Sequence, residues 1–226
     1  MPEAIELLLS MDSDLVEIVA RSLAISVSAV AIAALIGIPA GAALALGRFR
    51  GAGVLNILVN GFMGLPPVVV GLVVYLALSR AGPLGVLGLL YTPTAMVIAQ
   101  TVLVLPIVIA LSRDALGHHH RRLADLFKSF GRDGVRAVPT LIAEARHDLA
   151  TGLLAGFGRA SAEVGAVMIV GGNIEHHTRV MTTAIVLETS KGELGLALAL
   201  GLVLIAVTLG VNVLAAGLNR RPLAWR

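Results

Sequence analysis

The sequence predicts an all-α integral membrane protein with five transmembrane helices, on the basis of its composition, its long uncharged stretches and the placement of its basic residues. Of its 226 residues, 57% are apolar and 14% are charged, whereas soluble domains are about 45–50% apolar and about 25% charged. A soluble protein with so few charges could not cover its own surface. The chain contains no cysteine, which excludes disulfide bonds and thiol chemistry.

Five stretches of the chain are long and apolar enough to cross a bilayer, for which about 20 predominantly apolar residues are needed. We predict a single transmembrane domain over residues 1–226, with spans at about 22–47, 53–79, 94–112, 149–172 and 194–218. The fourth span contains Arg159 and Glu163, and the other four contain no charged residue. A further apolar segment, Val180–Leu187, is too short to cross, and we predict a buried re-entrant or interfacial helix there.

The basic residues predict the orientation of the spans, because loops rich in Lys and Arg stay in the cytoplasm. Twelve of the 17 basic residues follow spans 1, 3 or 5, and seven of these lie in residues 113–147. We therefore predict that the N-terminus is outside, that the C-terminus is inside, and that residues 113–147 form a cytoplasmic loop. The first twenty residues carry five acidic residues and no basic one, which predicts an amphipathic stretch on the outer surface. Within it, Asp12–Asp14 is expected to cap the first helix.

Small residues and prolines inside the spans predict close packing and bends. Two Gly-x-x-x-Gly pairs are present, Gly37–Gly41 and Gly152–Gly156, and such pairs let helices approach closely in lipid. Prolines inside a span are expected to kink it, because proline removes a backbone hydrogen bond. These prolines are Pro39, Pro66, Pro67 and Pro106.

The loop at residues 113–147 has the pattern of two short helices around a glycine turn. Apolar residues recur at helical spacing at Leu123, Leu126, Phe127 and Phe130. Gly131 and Gly134 then break the pattern, and a second helix is expected to begin near Pro139, an acceptable first helical residue. Such a unit is either a rigid docking surface or a plain surface loop, and the pattern by itself leaves both open.

Three segments carry a resemblance to a known family. Residues 125–131, Asp-Leu-Phe-Lys-Ser-Phe-Gly, resemble the coupling motif of ABC importer permeases, which is Glu-Ala-Ala, three residues, then Gly. Here Asp replaces Glu, bulkier residues replace the alanines, and the Leu-Pro that usually follows is absent. Residues 64–72 (GLPPVVVGL) and 157–166 (FGRASAEVGA) resemble the second- and fourth-span signatures of molybdate-, sulfate- and tungstate-type permeases. Residues 167–192 resemble the tungstate branch in particular.

The resemblance implies a type I ABC importer permease fold and the permease subunit of an ATP-driven oxyanion importer, most specifically for tungstate, that works by alternating access. A molybdate or other oxyanion permease is the alternative, and an ATP-independent secondary transporter is a more distant one. The implied location is the prokaryotic cell (inner) membrane, as a multi-pass protein in contact with lipid. The implied partners are a second copy of the chain, an ABC ATPase dimer and an extracytoplasmic oxyanion-binding protein, but no nucleic acid.

The resemblance also implies that this chain is not an enzyme and holds no cofactor, with ATP and Mg bound by the partner ATPase. The sequence agrees, because it contains no G-x-x-x-x-G-K-[ST] phosphate-binding loop. The residues that the resemblance places in the ATPase-coupling loop are Asp125, Leu126, Phe127, Phe130, Gly131, Arg132 and Asp133.

Two polar groups are candidates for the translocation path. Arg159 and Glu163 are spaced i, i+4, and we expect a structural or gating ion pair on one helix face in preference to an anion contact. A second group is the candidate path or gate, because neutral donors bind a tetrahedral dianion weakly enough to release it. Its members are Asn173, Thr178, Arg179, Thr182 and Thr183. The alternative for this group is that it caps and packs the re-entrant segment.

The histidines form two groups in the sequence. His118, His119, His120 and His147 lie in the predicted cytoplasmic loop, and His176 and His177 follow span 4. The two groups fall on opposite sides of the predicted membrane. We therefore expect solvated loop residues and no metal site.

Overall fold

A computed structural model describes residues 10, 12–47, 50–129 and 134–218 of the chain. Every regular element in these ranges is helical, and nine of them are α-helices. They are α1 (Ser13–Leu46), α2 (Ala52–Met63), α3 (Pro67–Leu78), α4 (Pro93–Ser129), α5 (Val138–Glu144), α6 (Arg146–Ser161), α7 (Gly165–Gly171), α8 (Met181–Lys191) and α9 (Leu194–Leu218). Short 3₁₀ helices lie at Gly85–Leu87 and Gly134–Ala137.

Three of these helices, α1, α4 and α9, are each long and apolar enough to cross a membrane. Two further pairs pass the same test only when taken together: α2 with α3, bent by 103°, and α6 with α7, bent by 60°. The described residues therefore contain three candidate spans, or up to five if each bent pair is one span. The all-helical membrane class is confirmed, and the second and fourth predicted spans are broken rather than continuous.

Helix α1 begins earlier than the predicted start of span 1 at residue 22. Its first residue is Ser13, and Asp12 caps it, since the Asp12 side chain accepts hydrogen bonds from Asp14 N at 3.0 Å and Leu15 N at 3.2 Å. These bonds satisfy backbone donors that a helix start leaves without a partner. The predicted cap at Asp12–Asp14 is confirmed. Half of the predicted outer stretch, residues 1–9 and 11, lies outside the described residues.

The prolines act differently according to their neighbours. Pro66 precedes Pro67, and a residue before proline is driven out of the helical region; Pro66 has φ −62° and ψ 125° and separates α2 from α3. The prediction that these two prolines bend span 2 is confirmed. Pro39 and Pro106 lie inside α1 and α4, which continue through them.

Helix α4 is much longer than the predicted third span, which was expected to end at residue 112. It runs for 37 residues to Ser129, so the predicted separate amphipathic helix is its C-terminal end. Gly117 is the one helix-disfavouring residue between Ser112 and Ser129, and burial of Leu116 and Phe127 stabilises the extension. The second predicted helix is confirmed as α5, with Pro139 in its first turn.

Both glycine pairs pack against α4, from α1 on one side and from α6 on the other. A Cβ atom added to Gly41 would lie 2.7 Å from Ser112 Cβ and 2.8 Å from Arg113 N. A Cβ on Gly156 would lie 3.0 Å from Val104 Cγ1. The predicted close packing is confirmed, and α4 is the central helix of the bundle.

Large apolar side chains cover much of the outer surface. Leu35 of α1 is 77% exposed, Ile57 of α2 is 73% exposed and Val213 of α9 is 70% exposed. Such a surface would be costly in water but is what a lipid-facing surface requires.

Candidate translocation path and coupling region

The fourth predicted span is interrupted where its two charged residues lie. Helix α6 ends at Ser161 and α7 begins at Gly165, so the predicted arrangement of Arg159 and Glu163 on one helix face is wrong. Arg159 is exposed and Glu163 is buried. The salt bridges among the described residues do not include one between these two side chains.

Glu163 instead holds the break between α6 and α7 in place. Its Oε1 atom accepts a hydrogen bond from Ala166 N at 3.0 Å, in the first turn of α7. Its backbone oxygen accepts a hydrogen bond from Thr182 Oγ1 of α8 at 2.8 Å. The carboxylate therefore satisfies a backbone donor of a helix start, and the backbone of the break is tied to the predicted re-entrant helix.

Gln100 and Ser161 complete this buried polar region, and sequence reasoning did not select either of them. Gln100 of α4 donates from Nε2 to Ala160 O at 3.1 Å. Gln100 Oε1 and Ser161 Oγ are buried and contact no hydrogen-bonding group within the described part of the chain. Gln100 could have been selected from the sequence, because it places a side-chain amide in a nearly apolar span. Polar residues inside membrane spans usually have a function.

We expect Glu163→Gln to keep the bundle intact and Glu163→Ala to destabilise it. The bond to Ala166 N needs one acceptor oxygen, which the glutamine amide retains and alanine lacks. Loss of that bond leaves a buried amide without a partner, at a cost of about 1–3 kcal/mol. Thermal melting of the purified protein in detergent measures the difference. Equal melting temperatures for the two variants would contradict the capping role.

The threonines of the predicted path group use their hydroxyls inside the fold. Thr178 is fully buried, and its Oγ1 donates to Gly171 O and accepts from Ile174 N at 2.9 Å. Thr183 Oγ1 accepts from Val180 N at 3.1 Å, at the start of α8. Thr182 contacts Glu163 O. For these three residues the geometry supports the alternative that they cap and pack the segment.

Asn173 and Arg179 are the members of the group with polar atoms still unused. Asn173 has a left-handed backbone, φ 51°, and its Oδ1 is buried without a hydrogen-bond partner among the described residues. Arg179 Nη1 donates to Glu175 Oε1 at 2.8 Å, while its Nε is likewise buried and unused.

An ionic cluster joins the start of α1 to the loop at residues 172–180. Arg21 of α1 pairs with Glu17 and donates to His176 O at 2.8 Å and to Arg179 O at 3.3 Å. His176 Nδ1 lies 2.9 Å from Glu17 Oε2. A polar cavity of about 190 Å³ lies beside these groups. No local pattern indicates this pairing, because 159 residues separate Glu17 from His176.

Asp14, Glu17 and His176 each place one ligand atom within 4.8 Å of the others. Glu17 already neutralises Arg21 and bonds His176, so its carboxylate is engaged and the cluster is an ion-pair network. His176 is 65% exposed, as expected of a loop residue, yet it has a specific partner.

The contact between His176 and Glu17 predicts a pH-dependent attachment of the loop. The pKa of His176 is raised above its ordinary value of 6.5, first by the hydrogen bond to Glu17 and then by the charge of Glu17, Asp14 and Glu175. A raised pKa in the folded state means that the stabilisation is fully present below pH 6.5 and is lost as pH rises through the raised value.

Hydrogen–deuterium exchange of residues 172–180 measures this attachment. We expect exchange in the wild type to approach that of His176→Ala as pH rises above neutrality, and to stay slower below it. His177→Ala is the matched control, because His177 is exposed and its backbone contacts Ile174 O. Equal exchange in wild type and His176→Ala at pH 6 would contradict the prediction.

The predicted coupling residues divide into a buried and an exposed set. Phe127 is 4% exposed, so it does not lie on a docking surface. Asp125 and Leu126 are exposed. Phe130, Gly131, Arg132 and Asp133 lie outside the described residues.

The apolar cluster that contains Phe127 packs α5 against three other helices. Leu141 of α5 is fully buried in a cluster with residues of α1, α4 and α6. The members of the cluster are Ala42, Leu116, Phe127, Ala137, Leu141, Ala145 and Leu149. The end of α4 and α5, here called the projection, is therefore folded on a small apolar core that it shares with α1 and α6, as a rigid docking surface requires.

The histidines of this region are not all solvated, contrary to the prediction. His118 and His147 are exposed. His119 Nε2 lies 2.9 Å from Asp148 Oδ2, and the ring of His120 stacks on Phe127 with ring centroids 6.1 Å apart. These two histidines are structural residues of the projection.

Comparison with known proteins places this architecture in a family. The chain is 43% identical over 212 residues to a probable anion ABC transporter permease protein of Haloferax volcanii, covering 92% of this chain and 91% of that protein. It is 40% identical over 216 residues to the tungstate uptake system permease protein TupB of Peptoclostridium acidaminophilum, covering 96% and 95%.

A second tungstate uptake system permease protein TupB, from Campylobacter jejuni, is 42% identical over 166 residues, with 74% and 70% of the two chains covered. No protein-family model matches the chain. Identity of this level over nearly the whole length, together with the long apolar helices, identifies a multi-pass membrane protein. The chain belongs to the family of ABC transporter permeases that includes the tungstate uptake permeases.

Proposed function

We propose that this chain is the transmembrane permease subunit of an ATP-driven tungstate importer. The observation that carries the proposal is the 40% identity over 96% of the chain to a tungstate uptake permease. The broken spans support it, because non-helical backbone at membrane depth is tolerated where it is covered by protein or lines a path through the membrane.

In this proposal the projection formed by the end of α4 and by α5 is the docking surface for an ABC ATPase dimer, which binds ATP and Mg and hydrolyses ATP. The exposed residues Asp125 and Leu126 lie on it, and the unit is folded on an apolar core that it shares with α1 and α6. Seven basic residues in 113–147 favour the cytoplasmic side for this unit. The N-terminus and the loop at residues 172–180 are then outside, facing an oxyanion-binding protein.

The translocation path in this proposal runs beside the break between α6 and α7 and is formed by two copies of the chain in alternating conformations. The break brings Glu163, Ser161 and Gln100 into the interior. Asn173 and Arg179 lie farther along the chain and have polar atoms available. Arg159, which is exposed on α6 in the single chain, is available to the second copy or to the anion.

Reconstitution tests the proposed function directly. The chain is purified together with its partner ABC ATPase, placed in proteoliposomes, and supplied with the cognate binding protein and labelled tungstate. We expect tungstate uptake that requires ATP and the binding protein and that exceeds molybdate uptake at equal concentration. Preferred uptake of molybdate would reassign the substrate. Uptake in vesicles that lack any ATPase would overturn the importer mechanism.

A further inference from the structure

Helix α6 connects the two regions that the proposed function uses. It begins at Arg146, separated from the end of α5 by Ala145 alone, and it ends at Ser161, where the break begins. Its 16 residues form one continuous helix without proline, which is a common cause of a sharp kink in a helix. We therefore expect a displacement of α5 to be transmitted along α6, unless contacts with neighbouring helices keep α6 in place.

The first turn of α6 is held to α4 by the apolar cluster around Leu149 and by one polar side-chain contact. His119 Nε2 of α4 lies 2.9 Å from Asp148 Oδ2 of α6, and the two side chains are 11% and 37% exposed. The neighbouring His118 is exposed on the same helix. Of the adjacent histidines His118 and His119, only His119 is thus placed to fix the position of α6.

The other end of α6 is held to the same helix by a second contact. Gln100 Nε2 of α4 donates to Ala160 O, in the last turn of α6, at 3.1 Å. Between the two ends, Gly152 and Gly156 of α6 pack closely on Leu111 and Val104 of α4. Helices α4 and α6 are therefore joined at both ends and along the intervening length.

We infer that His119 and Asp148 are positioning residues for transport: their contact makes α4 and α6 move as one body, so that displacement of α5 reaches the break at residues 162–164. The break is suited to respond, because Gln100 Oε1 and Ser161 Oγ are buried there without partners within the described residues and can gain them in a second arrangement. This inference rests on the proposed function.

The test is the number of ATP molecules hydrolysed per tungstate imported in proteoliposomes that contain the full complex. We expect His119→Ala to raise this ratio about 2- to 30-fold, the range of couplings carried by single residues of such networks, while ATP hydrolysis continues. His119→Gln is the conservative variant, since its amide Nε2 can donate to Asp148, and it should restore a ratio near that of the wild type. His147→Ala is the control, because His147 is exposed in the first turn of α6 and its ring contacts Arg146; it should leave the ratio unchanged.

A reciprocal variant separates the contact from the histidine itself. Asp148→Ala should raise the ratio as His119→Ala does, and the double variant should be no worse than either single variant. Assembly with the ATPase and thermal melting are measured for each variant; a ratio that rises in an assembled complex whose melting temperature is preserved supports coupling rather than misfolding.

An unchanged ratio in His119→Ala, or additive effects in the double variant, would overturn the inference while leaving the importer intact. If the His119→Ala complex does not assemble, the ratio of ATP hydrolysed to tungstate imported is measured instead for His119→Gln and Asp148→Asn. Both keep a donor–acceptor pair, so raised ratios in both would overturn the inference and wild-type ratios in both would support it. Failure of the proposed function differs from all of these, because the wild-type complex would then show no ATP-dependent uptake.

Discussion

Gly71→Leu is expected to prevent α3 from packing against α7 and to abolish transport. A Cβ atom at Gly71 would lie 2.7 Å from Ala166 Cα and 3.2 Å from Ala166 O, which are backbone atoms that no rotamer change can move. Val70, Val74, Val167 and Val170 form the buried cluster at this contact. Overpacking costs about 1–3 kcal/mol and occasionally more, and for a leucine against backbone we expect the upper end.

The measurement is the yield of monodisperse protein in detergent and its melting temperature, followed by tungstate uptake in the reconstituted complex. Gly61→Leu is the matched control in the other half of the same predicted span, because no atom lies within 4 Å of a Cβ at that position. A Gly71→Leu protein as stable as Gly61→Leu would mean that α3 and α7 do not touch.

Leu141→Asp is expected to detach α5 from the bundle. Leu141 is fully buried among apolar side chains, and an unpaired carboxylate in such a site is among the few changes that cost more than about 4 kcal/mol. The transmembrane helices retain their own contacts, so we expect the protein to insert and to lose ATPase-coupled uptake. Limited proteolysis in the segment 134–145 reports the detachment.

Ala143→Asp supplies the control for charge and helix propensity. Ala143 lies on the same helix and is exposed, so the added carboxylate stays in water. Protease resistance like that of the wild type is expected for Ala143→Asp. Equal protease sensitivity in both variants would mean that α5 is held by something other than Leu141.

The all-helical membrane class could be predicted because it depends on local composition. The bend at Pro66–Pro67 could be predicted for the same reason, since proline acts on its immediate neighbour. The length of α4 could not, because hydrophobicity fell after Ser112 while helical structure continued. Helical spacing of apolar residues predicted a helix near Phe127, but its continuity with span 3 depends on tertiary burial of Leu116 and Phe127.

The candidate site was predicted less well, because its contacts join distant parts of the chain. The spacing of Arg159 and Glu163 predicted an ion pair only if the helix continued, and the break depends on Thr182 and Ala166 bonding Glu163. The contacts of His176 with Glu17 and of Gln100 with Ala160 span 159 and 60 residues. The polar residues of the candidate site could be recognised in the sequence, but their hydrogen-bond partners are known only from the fold.

The bend of 103° between α2 and α3 has a consequence for how the chain enters the bilayer. Each of these helices has 12 residues, a length of about 18 Å against a hydrocarbon core of about 30 Å. Neither half can complete a crossing alone during synthesis. The Arg113 guanidinium of α4 donates to Asn56 Oδ1 of α2 at 3.0 Å, and this contact with α2 can form only after α4 has been made.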